Sequence, residues 1–278
     1  MEYCVARTIE EAFGLLATKS RPKPVAGGTD LAVVLADALV AVDTLVDVAA
    51  IPSLKGIRVT PRGVAIGAAT GIAEIARNDA LPSCLAQGAR SIGSPQIRNL
   101  ATIGGNICNA SPCGDTLAPL IALDAVFVLA TSAGMREVPA ETFFTGPKKT
   151  VIRPDELLVE IRVDAAHARG ASAFRMIGKR NGQVISQVNV AVWMDVVSGA
   201  VRDARAAIGS VAPVPLRLSR TETLLKGRRA ADIDVDAAIA AMEAEIAPIS
   251  DVRATLEYRR LVSGALFREC IDECRRVR

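Results

Sequence analysis

Hydrophobic and polar positions divide the chain into two halves of different rhythm. In the first half, short apolar runs alternate with amphipathic stretches. Thr8-Ile9-Glu10-Glu11 forms a capping box ahead of Ala12, Leu15 and Leu16, which predicts a helix starting there. Pro24-Val25-Ala26 reads as a strand running into Gly27-Gly28. A helix over 31–39 and strands over 44–48 and 64–68 follow. Thr70 is placed to cap a helix running to Ala76, and Pro82 to start one running to Ile92. Positions 115–123 are helical in pattern, and 125–130 a buried strand. Alternation of this kind predicts a mixed α/β arrangement. After Glu160 the pattern becomes strands over 173–177, 187–197 and 201–208, with a hairpin signal at Val197-Ser198-Gly199-Ala200. Helices over 221–226, 235–245 and 253–275 complete the chain. Three antiparallel strands followed by helices form a separate α+β unit, with its boundary in 165–171.

Composition adds mostly exclusions. At 278 residues, with half of them apolar but only 3% aromatic, the cores must be built from Ala, Val, Leu and Ile. A net charge of +3, spread along the chain, gives no footprint for nucleic acid. Arg275, Arg276 and Arg278 are too few for an acidic lipid surface and read as a solvated helix end. The apolar stretches 31–51 and 118–135 are interrupted by Asp37, Asp43, Asp47 and Asp124, so no membrane span is expected. The opening Met1-Glu2-Tyr3-Cys4-Val5 has no basic region before an apolar one, which leads to the expectation of a soluble, cytoplasmic protein. Cys4, Cys84, Cys108, Cys113, Cys270 and Cys274 fit neither a zinc site nor an iron–sulfur cluster and read as reduced thiols. His167 reads as a surface histidine without chemistry, and no metal site is expected.

Two glycine motifs carry the candidate chemistry. The first, Ala26-Gly27-Gly28-Thr29-Asp30-Leu31, lies between a strand and a helix. The second, Thr102-Ile103-Gly104-Gly105-Asn106, leads to Ala110-Ser111-Pro112 and Gly114-Asp115. Paired glycines let backbone N–H groups converge on one point without interference from Cβ, which makes an anion-binding concavity. Thr29, Thr102, Asn106 and Ser111 add hydroxyl and amide donors. Either pair alone is compatible with a plain tight turn; the two together suit a pyrophosphate held from both sides. The chain has no GxxxxGK[ST] and no GxGxxG after its first strand, which excludes a P-loop and the Rossmann fingerprint.

Those motifs, AGGTDL at 26–31 and TIGGNICNASPCGDTLAPLIALDA at 102–125, resemble the flavoprotein subunits of the xanthine dehydrogenase and carbon monoxide dehydrogenase group. The likeness continues through GPKKTVIRPDELLVEI (146–161), KRNGQVISQVNVAV (179–192), AIGSVAPVPLR (207–217) and DVRATLEYRRLVSGALFREC (251–270). It implies an α+β protein: a two-part FAD-binding domain of the vanillyl-alcohol-oxidase type over 1–168, then a smaller C-terminal domain over 169–278. Carried over by position, Ala26, Gly27, Gly28, Thr29, Asp30 and Leu31 belong to the first pyrophosphate loop. Thr102, Ile103, Gly104, Gly105 and Asn106 belong to the second. Asp115 falls at a ribose or ribityl contact, and Ile92 and Leu158 at apolar contacts to the flavin, although both also suit plain core positions.

Many relatives carry aromatic-x-Lys in the strand opening the second domain, where this chain has Phe174-Arg175-Met176. Arg175 or Lys179 is left as the basic partner there, or both are simply solvated. With no suitably placed histidine, and no inserted four-cysteine segment, noncovalent FAD and no cluster of the chain's own are expected. The resemblance further implies a large molybdenum-cofactor subunit and a small subunit with two [2Fe–2S] clusters, in a dimer of heterotrimers. This chain would pass electrons from those clusters to NAD⁺, oxygen, a quinone or another carrier, with no catalytic acid–base pair of its own. A free-standing flavoenzyme of the same superfamily and a flavin-free scaffold subunit are the competing readings.

Overall fold

The computed structural model describes residues 1–37, 39–180 and 182–276. Ala38 (inside the predicted helix 31–39), Asn181 and Arg278 lie outside them. Three sheets form the frame. Strands Glu2–Val5, Thr44–Asp47 and Pro22–Val25 make a small parallel sheet, with Thr44–Asp47 in the centre. Helix Ile9–Thr18 connects two of them, and its N-cap Thr8 accepts from the Glu11 amide at 3.1 Å, as a capping box requires.

A five-stranded antiparallel sheet follows, ordered Ile57–Thr60, Gly63–Gly67, Leu157–Asp164, Val126–Thr131, Gly134–Pro139. Between its strands the chain makes the helices Ile72–Arg77, Ser83–Ser91, Pro95–Leu100, Ile103–Asn109 and Leu117–Ala122. The third sheet pairs Ala171–Ile177, Val188–Val197 and Ala200–Gly209, as the pattern predicts, and adds the two-residue strand Leu216–Arg217. Its hairpin turns at Ser198 and Gly199, both with positive φ (51° and 78°), the geometry of a primed turn matched to strand twist.

Strands Val126–Thr131 and Val188–Val197 are buried on both faces over most of their length, and their alternation splits between two cores. In Val188–Val197, Ala191 and Trp193 enter the largest core, whereas Val190, Val192 and Met194 enter the core beneath the C-terminal helices. In Val126–Thr131, Phe127 and Leu129 enter the largest core, and Val128 and Ala130 a third one under the parallel sheet. A bulge between Leu158 and Glu160 then shifts the phase of the neighbouring strand. Leu158 shares the largest core with Ile161 and Val163, while Leu157 and Val159 face the third.

Several local expectations change. Helix 31–39 shortens to Leu31–Ala36. Thr70 caps nothing: its hydroxyl donates to the Gly56 carbonyl, and the helix starts behind Gly71. The long C-terminal helix begins at Leu256 rather than 253. His167 is not a surface residue. Its side chain is only 12% exposed, lies edge-on to Trp193 at 4.9 Å, and sits between Asp124 and Asp164. Asp124 also accepts from Arg205 Nε at 2.9 Å and from Arg217, which ties the third sheet to the first half of the chain. Cys270 and Cys274, one turn apart as expected, are buried, their thiols directed at the Val190 and Val192 carbonyls.

Candidate functional site: two glycine turns and two clefts

The first glycine motif leaves strand Pro22–Val25 and turns through Gly28, whose φ of +67° suits glycine. Gly27 is required for a different reason. A Cβ there would stand 1.9 Å from the Leu100 carbonyl oxygen, so the loop lies backbone-to-backbone on the segment that opens the second motif. Among the described residues, the amides of Gly27, Gly28, Thr29 and Asp30 meet no acceptor. Consecutive unpaired N–H groups in a glycine turn suit an anion with several oxygens.

The second motif is the first turn of a helix, Ile103–Asn109, and not an open loop. Its amides are taken up within the chain. Ile103 donates to Thr70 O at 3.0 Å, Gly104 to Ala68 O at 2.8 Å, Gly105 to the N-cap Thr102 Oγ1 at 3.1 Å, and Asn106 to Thr102 O at 3.0 Å. The two glycines therefore serve different ends. A Cβ on Gly104 would stand 2.6 Å from the Ala68 carbonyl oxygen, whereas one on Gly105 would meet only Thr102 Oγ1, at 3.0 Å. Ile103 is fully buried core, Leu31 is half-buried at a helix start, and Asn106 Oδ1 accepts from Thr116 Oγ1 at 2.7 Å.

A cleft of about 520 Å³ opens beside the second motif and reaches the first at Ala26, walled also by Thr102, Gly104, Gly105, Cys108 and Leu158. Lys23, Lys148 and Arg153 also line it, and Glu156 is its one carboxylate. Glu156 is neutralised by Arg136, whose Nε donates at 2.6 Å and holds the carboxyl below its ordinary range. Lys148, at a φ of 60°, donates to Asn109 Oδ1 at 2.7 Å and lies 3.5 Å from Asp30 Oδ2, so it reaches from the first glycine motif to the end of the helix that the second one starts. None of these cations stood out in the sequence, because their register with the glycines arises only in the fold. Gly146-Pro147 before Lys148 is the one local sign of a turn there.

A larger cleft of about 760 Å³ lies between the segment around Ser91 and the end of strand Ala171–Ile177. Arg90, Arg98 and Arg180 line it, without a carboxylate among the lining residues. Ile92, half-buried against the largest core, holds this wall in place: its carbonyl accepts from Arg98 Nη1 at 2.8 Å. Met176 lines the cleft, but neither candidate for the basic partner does. Arg175 is bound to Glu269 and Glu273 on the C-terminal helix, and Lys179 donates to the Val252 carbonyl at 2.7 Å.

Asp115 sits behind the larger cleft, only 6% exposed. Its Oδ2 accepts from Ser91 Oγ at 3.0 Å, and its Oδ1 from Ser186 Oγ and from Asn189 Nδ2 at 3.1 Å. Burial pushes its carboxyl up to about 6, against the three donors that pull it down.

The fold and the cradle define a nucleotide-binding protein in which a second α+β unit packs on the binding domain. A family model described as the FAD binding domain in molybdopterin dehydrogenase matches residues 1–165. One described as the CO dehydrogenase flavoprotein C-terminal domain matches residues 172–274. The carbon monoxide dehydrogenase medium chain of Hydrogenophaga pseudoflava is 32% identical, over 98% of this chain and 96% of its own. The glyceraldehyde dehydrogenase medium chain of Sulfolobus acidocaldarius is 30% identical, over 98% and 97%. A solved carbon monoxide dehydrogenase from Hydrogenophaga pseudoflava superposes with a TM-score of 0.92 at 33% identity, covering 99% of this chain and 96% of the other. The chain belongs to the FAD-binding subunits of the molybdenum hydroxylase family. No helix among the described residues is long and apolar enough to cross a membrane.

Two predictions follow from this geometry. Gly104→Ala drives a Cβ into the Ala68 backbone and should cost about 1–3 kcal/mol, whereas Gly105→Ala should stay within about 1 kcal/mol of wild type. Urea unfolding of the two variants measures the difference. For Asp115, the folded pKa lies above the unfolded one, so the folded state takes up the proton first. Its contribution to stability therefore falls as pH rises from about 4 to about 6 and is level above that. Asp115→Asn should remove that slope, on the order of 1–3 kcal/mol, from a pH series of unfolding curves.

Proposed function

We propose that this chain holds one noncovalent FAD and relays electrons within a complex whose molybdenum cofactor and [2Fe–2S] clusters reside on a large and a small partner subunit. The observation that supports it most is the row of unpaired amides at Gly27, Gly28, Thr29 and Asp30, which follows directly on Ala26 in the wall of a basic cleft. In this reading those amides take the pyrophosphate oxygens, with Lys148 and Lys23 adding charge at the rim. Thr102, whose Oγ1 already accepts from Gly105, keeps its hydroxyl proton free to donate. Gly105 leaves the cleft wall open where a side chain would stand.

The flavin end is assigned to the larger cleft, with Ile92 behind one wall and Met176 on the other. Leu158 then backs the adenosine end, since it lines the smaller cleft. FAD, when bound, supplies the capacity to take electrons singly and give them up in pairs. The chain's own residues bind it, orient it and set its electrostatic surroundings. Arg90, Arg98 and Arg180 are the cations the chain offers at the larger cleft, where Met176 stands in the place at which many relatives have lysine. Their charge favours an electron-rich ligand there.

The FAD-binding domain is assigned to 1–168 and the second domain to 169–278. The further proposals are a cytoplasmic dimer of heterotrimers, and NAD⁺, oxygen, a quinone or another carrier as the acceptor. The whole-length match to medium chains of multi-subunit dehydrogenases supports the relay over a free-standing flavoenzyme.

The test is Gly105→Val in the chain purified with its partners. FAD content should fall at least about 10-fold while the circular dichroism spectrum and co-purification of the partners persist. Full FAD occupancy in that variant would show that the second glycine turn does not border the cofactor.

A further inference from the structure

We propose that His167 is a proton-operated latch on the segment that connects the two halves of the chain. As an imidazolium it ties that segment to Asp124 and Asp164 together. As a neutral imidazole it holds one of them and releases the other. This goes beyond the cofactor reading and does not rest on it.

His167 belongs to the short helix Ala165–Ala168, between the strands Leu157–Asp164 of the first half and Ala171–Ile177 of the second. Its ring lies between two carboxylates, with Nε2 3.4 Å from Asp124 Oδ2 and Nδ1 3.2 Å from Asp164 Oδ1. Nδ1 is buried and makes no aligned hydrogen bond. A neutral imidazole has one N–H and one lone pair, so one of the two carboxylates always faces the lone pair. An imidazolium offers an N–H to each.

The surrounding charges leave room for that proton. Asp124 accepts from Arg205 and Arg217 of the second half and keeps acceptor sites for the ring. Arg217 also pairs with Glu141 and with buried Glu222, Arg205 with Asp203, and Lys226 with Asp203 and Glu222. Among the described residues, Asp164 has no ion-pair partner except His167. Three cations therefore serve five carboxylates, and an imidazolium makes a fourth. The elements packed against the helix add no competitor. Strand Gly63–Gly67 carries no titratable residue, and Arg62 and Arg169 meet the segment through their carbonyls. Glu160 and Arg162, on the preceding strand, pair with each other and with Arg58 and Glu137.

The second half grips the same segment through Trp193. Its Nε1–H donates to the Arg169 carbonyl at 2.5 Å, and its ring lies 4.9 Å from that of His167. With both carboxylates engaged, the segment is pinned between Trp193 and Asp124, itself bound to arginines of the second half. With one released, the two halves are freer to shift across the larger cleft, whose walls come from both. The latched state holds the extra proton, so the seating is firmest at low pH and slackens as pH rises through the inflection.

The chain has one histidine and one tryptophan, and they touch, so the latch carries its own probe. An imidazolium in contact with an indole quenches the indole's emission. Tryptophan emission of the full-length chain should therefore rise along a single-site curve between pH 5 and 8. His167→Gln should lose that inflection. Asp164→Asn keeps a helix-capping side chain but removes one carboxylate, and should move the inflection to lower pH by about 0.5 or more. In urea titrations followed by the same emission, the gap between the midpoints of wild type and His167→Gln should widen as pH falls through the inflection.

Flat emission in wild type would overturn the proposal, as would an inflection that persists in His167→Gln. A midpoint gap independent of pH would show that the ring titrates without latching anything, and overturns it too. If His167→Gln does not fold, Asp164→Asn decides: an inflection left where wild type has it sinks the latch.

Discussion

The structure depends on three stretches of backbone meeting with no side chain between them. Gly27 lies on Leu100 and Ala101, and Gly104 lies on Ala68, each so close that a Cβ would stand within 2.6 Å of a carbonyl oxygen. The Ile72 amide donates to Ala101 O, the Ile103 amide to Thr70 O, and Gly71 bridges Thr102. These contacts fuse two motifs that are more than seventy residues apart into one cradle. They also use up the amides of the second motif and leave those of the first unpaired among the described residues, as the proposed anion site requires. The division of labour is physical. Gly27 and Gly104 supply close approach, Gly28 a left-handed turn with unpaired amides around it, and Gly105 an open wall.

The architecture around the cradle follows from strands buried on both faces. A strand whose odd residues enter one core and whose even residues enter another reads in sequence as a continuous apolar run, as 188–194 does. Its existence is legible, but which residue faces which core is not. The bulge at Leu158 to Glu160 shows why: it exchanges the faces of the strand midway, and nothing in the one-dimensional pattern marks it. Strands whose ends carry strong turn residues, such as the hairpin at Ser198-Gly199, were fully legible. Short edge strands such as Ile57–Thr60 and Gly134–Pro139 were not, since they contribute few buried side chains.

The candidate site was legible where it is local and opaque where it is assembled. The glycine motifs are contiguous, so their resemblance to the family could be stated from residues alone. Lys148 at the smaller cleft, and Ser91, Ser186 and Asn189 around Asp115, come together only through tertiary packing and left no local signal. The basic partner expected at Arg175 or Lys179 misleads for the same reason. Strand alternation turns Arg175 toward the carboxylates of the C-terminal helix, and Lys179 is satisfied by a backbone carbonyl. Arginines from elsewhere line the cleft instead. His167 reverses the error: polar in sequence, it packs against Trp193 in a seam of carboxylates and arginines between the two halves.

The central claim is that this chain is the flavin carrier of its complex. The most direct measurement is denaturation of the complex purified from its native partners, with chromatography of whatever is released and assignment of any retained flavin to a subunit. The account predicts FAD, freely released, at close to one per copy of this chain. A complex without flavin would contradict it, as would flavin recovered only as FMN or held by a different subunit.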